Sequence, residues 1–226
     1  CAANEQTAEP TSGGATSETA VVETLSGTLN GSGASSMASG QEAWIAAFQI
    51  ANPGVTVNYD PTGSGTGRAQ FFEGATSFTG SDSYFKDEEL AGEFPSCVPG
   101  TLPWEFPIWI SPIAVIFNLD GISNLNMEGP TVAGIFAGKI TMWNDAAIAA
   151  ANPGVTLPEL SITAVHRSDE SGTSKNFTDY LAAVAPDVWT VGAIEAWPAE
   201  YGGEGAQGTS GVVSAVTGGN GTIGYA

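Results

Sequence analysis

The sequence is poor in cations. Arg68, Lys86, Lys139, Arg167 and Lys175 are its only lysines and arginines, against 24 acidic residues, for a net charge of −19. A chain so negative repels a nucleic-acid backbone and an anionic membrane surface alike, which excludes nucleic acid as a partner. The acidic residues are scattered and read as a solvated surface rather than an acidic tail. A single histidine cannot build a metal site of the usual kinds, and neither metal nor cofactor is expected. With two cysteines, Cys1 and Cys97, no disulfide framework can be argued. Cys97 reads either as a small buried residue or as the partner of a cysteine beyond the C-terminus. No apolar run approaches the ~20 residues of a membrane span, and no uncleaved signal peptide is present.

What is there suits a folded globular protein: 226 residues, 42% of them hydrophobic, enough for one fair-sized core or two modest ones. Residues 1–24 stand apart. After Cys1 comes the small, polar, aperiodic run "AANEQTAEPTSGGATSETA", expected to be a flexible tether. A cysteine followed by such a run resembles a mature bacterial lipoprotein, which implies lipidation at Cys1 and anchoring at the extracytoplasmic face of a membrane.

From Leu25 onward, short apolar runs alternate with helical patterns, the signature of an α/β fold. "ASGQEAWIAAFQIANPG" predicts a helix with Trp44, Phe48 and Ala51 at helical spacing, stopped at Asn52-Pro53-Gly54. The apolar run 107–119, "PIWISPIAVIFNL", carries two prolines and suits a buried strand or a crossover between lobes. "SGTSKNFTDYLAAVAP" predicts a helix with Phe177, Tyr180, Leu181 and Val184 on one stripe. The segment "ANPGVT" occurs at 51–56 and 151–156, each copy ending an alanine-rich helix before an expected apolar strand, which reads as a shared helix-stop device. The terminal "GGNGTIGYA" reads as a strand just begun, whose unpaired backbone groups would call for residues beyond Ala226.

Four polar turns share one setting, the end of a strand or the start of a helix: 31–36 "GSGASS", 62–68 "TGSGTGR", 79–83 "TGSDS" and 167–174 "RSDESGTS". Glycine lets backbone approach a ligand, and free N–H groups at a helix N-terminus favour negative charge. Each turn alone is accounted for by ordinary helix capping; four together point to an anion socket. In the last of them Arg167 and Asp169 lie two apart, on one face of a strand, beside a helix entrance at Ser171, Gly172 and Thr173. The guanidinium fork suits an oxyanion, and the carboxylate can orient it.

These turns, together with "AGIFAGKITMWNDAAIAAANPGVTLP", "VHRSDESGTSKNFTDYL" and "GTIGYA" in this order, resemble the phosphate-binding proteins of bacterial phosphate-specific ABC transporters, over nearly all of Leu25–Ala226. The resemblance implies a type II periplasmic-binding-protein-like fold with two α/β lobes, each a mixed sheet flanked by helices, and the ligand in the cleft. It implies lobe one at 25–109, lobe two at 110–226, and a C-terminal part of lobe one that is missing here. By position, Ser35, Ser36, Ser64, Asp82, Arg167, Ser171, Gly172 and Thr173 would line the phosphate site, with Asp169 as the partner of Arg167. The implied partners are inorganic phosphate and a membrane permease, for a monomer. Two positions depart from the family pattern, Ser36 where an aromatic residue is usual and Glu170 where a glycine is usual, and Glu170 is tolerable only if it points to water.

Rival readings exist. The same fold serves sulfate, molybdate or tungstate, but sockets for fully ionised oxyanions have no use for an acceptor such as Asp82. A lipoprotein that senses phosphate or adheres, without a transporter, is a further class. His166, Asp169 and Ser171 are the residue types of a hydrolytic triad. However, His166 and Arg167 face opposite sides of a strand, and no G-x-S-x-G elbow is present, which argues against an enzyme.

Overall fold

The computed structural model describes residues 24–226. Cys1 and the rest of the expected tether up to residue 23 lie outside the described residues. Two sheets organise the chain, and their connections place the four polar turns at the ends of strands and helices.

The first sheet is built from β1 (Ser26–Gly33), β2 (Gly54–Asp60) and β3 (Phe78–Gly80), in the order β2-β1-β3 with both pairings parallel. Parallel neighbours need crossovers, and α1 (Ala38–Ala51) and α2 (Ser64–Phe72) supply them. Beyond β3 comes the short α3 (Asp87–Leu90). Phe71, Phe85, Phe94 and Cys97 form a small buried cluster on this side.

The second sheet is mixed. Its strands β4 (Val115–Asn118), β5 (Thr163–Arg167), β6 (Glu204–Ala206) and β7 (Thr222–Tyr225) run in the order β4-β7-β5-β6, with β4 antiparallel to β7 and the rest parallel. Around it pack α4 (Gly129–Phe136), α5 (Ala146–Ala151), α6 (Gly172–Val184) and α7 (Gly208–Gly218). The larger core lies here, centred on Phe136, Trp143, Ile148, Leu181, Trp189, Ile223 and Tyr225. Burying a large apolar side chain of this kind contributes roughly 1.5–3 kcal/mol. The Trp143 indole N–H donates to the Gly221 carbonyl at 3.0 Å, so its polar edge is satisfied inside the core.

The terminal segment differs from the sequence expectation. β7 is a central strand, paired with β4 on one side and β5 on the other, and Ala226 exchanges both backbone hydrogen bonds with Ala114. Its backbone groups therefore have partners, and the unpaired-strand argument does not hold. The run 107–119 is strand only at Val115–Asn118; Pro107 and Pro112 remove donors, and Ile108, Trp109 and Ile110 are exposed, Ile110 to 95%. Helix α1 forms as expected, yet Trp44 and Phe48 are 41% and 42% exposed and Gln41 is its only buried residue. On α6, Phe177 and Leu181 are buried while Tyr180 faces outward.

The repeated "ANPGVT" stops both helices in one way. Asn52 and Asn152 cap α1 and α5, and each side-chain amide donates to the carbonyl four residues back, at 3.0 Å on Phe48 and 2.8 Å on Ile148. The first copy leads into β2; the second leads into irregular chain, and the next strand starts only at Thr163.

Candidate functional site

The starts of three helical segments converge where the two sheets meet. A 3-10 turn, Ser35–Met37, follows β1; α2 opens at Ser64 after Gly63; and α6 opens at Gly172 after Ser171. Ser171 caps α6, its hydroxyl accepting the Ser174 N–H at 3.1 Å. Gly63 has φ +103°, and a Cβ there would run into the Asp169 carboxylate. A Cβ on Gly172 would come within 2.8 Å of both the Asp82 Cβ and the Ser64 hydroxyl. Both glycines are what allow the turns of the two lobes to touch.

Asp82 sits at the centre of this contact. Its Oδ1 accepts from the Ser36 hydroxyl at 2.6 Å, its Oδ2 from the Thr173 hydroxyl at 2.7 Å, and its backbone N–H donates to the Ser64 hydroxyl at 3.1 Å. The carboxylate thus joins a donor from each side of the cleft. The Asn176 amide, one turn into α6, also donates to the Asp82 carbonyl at 2.8 Å. Burial, followed by the charges of Asp82 and Asp60, pushes the nearby Tyr59 phenol well above its ordinary value, so it stays neutral and donates to the Ala34 carbonyl at 2.9 Å.

Arg167 is buried to 2% exposure at the end of β5. Its Nε and Nη2 donate to the two Asp169 oxygens in a bidentate pair, which leaves Nη1 outside that pair. Asp169 Oδ1 also accepts the Gly208 N–H at 3.0 Å, and the adjacent Thr209 N–H donates to the Ser35 hydroxyl at 3.0 Å. The start of α7 therefore ties the arginine pair to the Ser35 turn. The Arg167 N–H donates to the Tyr225 hydroxyl at 3.2 Å, and the Tyr225 ring stacks on Phe177 at 4.3 Å, which fixes the site to the core of the second sheet.

All nine expected lining and partner residues lie in this region, with unequal ties. Ser36, Ser64, Asp82 and Thr173 are in direct contact, Ser35 is reached through Thr209, and the hydroxyl of Ser171 is used for capping. His166 turns away: its ring stacks on Trp197 at 4.8 Å, and burial lowers its pKa from the ordinary value. Its Nδ1 lies 2.9 Å from the Arg167 carbonyl, and among the described residues no hydrogen bond joins it to Asp169 or Ser171 as a triad would need. Glu170 is exposed, with its side chain over Gly65 and its carbonyl accepting the Gly65 N–H at 3.2 Å. The Lys175 ammonium lies over the Tyr84 ring at 4.6 Å, off the site. Among the described residues no group of three or more histidine, cysteine, aspartate or glutamate side chains is placed to hold a metal ion.

Sequence reasoning missed an ion cluster beside the site. Glu195, 5% exposed, accepts from Arg68 Nη2 at 2.8 Å, from the Lys86 ammonium at 2.8 Å and from the Ser83 hydroxyl at 2.7 Å. Burial alone would raise its carboxyl, but the bonds from Arg68, Lys86 and Ser83 outweigh that and hold its pKa at about 2. The one available signal was an acidic residue inside the otherwise apolar "VGAIEAW".

A family model described as PBP superfamily domain matches residues 14–226. The chain belongs to the PBP superfamily. Among curated superfamily relatives, it is 41% identical over 218 residues to phosphate-binding protein PstS 3 of Mycobacterium tuberculosis, covering 95% of this chain and 58% of that protein. It is 41% identical over 198 residues to phosphate-binding protein PstS 3 of Mycobacterium leprae, covering 88% of this chain and 53% of that one. The chain therefore spans little more than half the length of these relatives. A solved phosphate-binding protein from Stenotrophomonas maltophilia superposes with a TM-score of 0.65 at 25% identity, over 88% of this chain and 60% of that chain. The α/β fold expected from the sequence is shared with that solved structure.

Proposed function

We propose that this PBP-superfamily chain captures inorganic phosphate between its two lobes and hands it to the permease of an ABC importer. No bond is broken in that cycle, and the protein acts as a monomeric carrier rather than an enzyme. Lobe one corresponds to 25–109 and lobe two to 110–226, and the two sheets fall on either side of that division. Ser35, Ser36, Ser64, Asp82, Arg167, Ser171, Gly172 and Thr173 line the site, with Asp169 orienting Arg167.

The observation that carries the reading is Asp82. A carboxylate is a liability in a socket for an anion unless the anion still bears a proton, and here it is held between hydroxyl donors of both lobes at the N-termini that favour negative charge. The relatives, both named phosphate-binding proteins, support the same ligand. The test is calorimetric titration with phosphate of the protein with its natural termini. One-to-one binding that is weakened at least tenfold in Thr173→Val supports the site; no phosphate binding in the intact protein rejects the reading.

The proposal extends to lipid anchoring at Cys1, on the outer face of the cell membrane, supported by the polar, aperiodic run that follows it. Cys1→Ser in the native host should release the protein from the membrane fraction. Unchanged membrane retention of that variant rules the anchor out.

A further inference from the structure

We propose that Glu195 is a latch that sets how firmly the two lobes close over the site, a positioning role separate from contact with the ligand. The inference rests on the two-lobe oxyanion reading above, and its main readout needs no ligand.

Glu195 is held on the second lobe by its neighbours. The Ile194 N–H donates to the Thr178 hydroxyl at 2.9 Å, and that hydroxyl is buried on α6. The Glu195 carbonyl accepts the Ser171 N–H at 3.2 Å, so the residue is joined directly to the turn that opens α6 at the site. Its side chain reaches the other lobe. Arg68, 1% exposed, stands one turn into α2 from Ser64; Ser83 follows Asp82; and Lys86 caps α3. One carboxylate therefore clamps two site-bearing segments of lobe one, the start of α2 and the Asp82 turn, to the site turn of lobe two.

Arg68 has a second acidic partner, Glu89, at 3.2 Å, but Glu89 belongs to lobe one and cannot hold the lobes together. Arg68 Nη1 also donates to the hydroxyls of Ser81 and Ser83, at 3.1 and 2.8 Å, which stiffens the Asp82 turn from below. The contacts that Asp82 makes with Thr173 lie where the ligand is expected to bind, so they can be exchanged for ligand contacts on binding. The Glu195 cluster lies outside that set and is available whether or not the cleft is filled. With the lobes closed, Arg68 is 1% exposed and the Glu195 carboxylate compensates its charge; without that carboxylate the closed state leaves a buried guanidinium short of its counter-charge, whereas in the open state water solvates it, so losing Glu195 disfavours closure.

The experiment measures lobe separation by single-molecule energy transfer, with dyes attached through non-cysteine chemistry at the exposed positions Thr56 and Ala149, in the protein with its natural termini and without phosphate. Glu195→Gln keeps size and shape but removes the charge. It should raise the open fraction about tenfold, and it should speed phosphate release by a similar factor while association changes less than about threefold. Lys86→Met, which leaves Arg68 and Ser83 bonded to Glu195, should give a several-fold smaller effect and guards against a misfolded first variant. The double variant Arg68→Gln/Glu195→Gln, which removes both charges, should close better than Glu195→Gln alone. Separation distributions of Glu195→Gln and Lys86→Met that match the parent overturn the latch, whatever their thermal stability, and so does a double variant no more closed than the single one.

Discussion

Sulfate in about hundredfold excess should leave phosphate binding unchanged at neutral pH and matched ionic strength. The reason is the acceptor, Asp82, at the proposed anion site. Asp82 has about four lone-pair positions; Ser36 and Thr173 each fill one, at 2.6 and 2.7 Å, and neither hydroxyl can supply the remaining donors. Phosphate near neutral pH still carries a proton and can donate it to the carboxylate. Sulfate carries none, and in a closed, dry cleft it would set oxygen against oxygen. A polar site built around one specific hydrogen bond rejects an analogue lacking it by about 10⁴–10⁵. Asp82→Asn tests the cause: an amide can turn its NH₂ toward sulfate, so the variant should bind sulfate measurably and lose most of the discrimination. Comparable affinity of the parent for both anions would reject the role of Asp82 and, with it, specificity for phosphate.

How much of this was legible in the sequence depends on the range of the interaction involved. The turn at 167–174 was readable because its physics is local: a strand end, a capping serine and a glycine lie within eight residues, and the structure builds β5, the Ser171 cap and α6 from them. The double "ANPGVT" was readable as a stop for the same reason, since the asparagine bond to the carbonyl four residues back is made within one turn. Glu195 was not readable. Its partners Arg68, Ser83 and Lys86 lie more than a hundred residues earlier, and only the approach of the lobes makes a lone acidic residue in an apolar run into the centre of an ion cluster. The place of β7 failed for a related reason: a strand's neighbours are set by topology, so the last four strand residues could be central without any local sign of it. The α1 stripe shows the converse limit, because Trp44 and Phe48 have the spacing of a buried face and are exposed. Periodicity reports which residues share a face, and the rest of the fold decides what covers it.

Arg167→Ala should lower both phosphate affinity and stability, and the two losses have separate origins. Affinity falls because the only cation paired within this turn is removed; losing a charged donor from a buried anion site costs about 1.5–3 kcal/mol, roughly tenfold to a hundredfold in Kd. Stability falls because Asp169, whose side chain is nearly as buried as that of Arg167, is left with the Gly208 N–H as its remaining donor. Breaking one side of a buried pair typically costs about 3–5 kcal/mol. Arg167→Lys separates the two effects: it keeps a charge but loses the planar fork that engages Asp169 through Nε and Nη2, so it should recover part of the stability and little of the affinity. Denaturant melts report the first quantity and phosphate titration the second. A loss of stability with phosphate affinity unchanged would confine Arg167 to its partnership with Asp169 and remove it from the anion site.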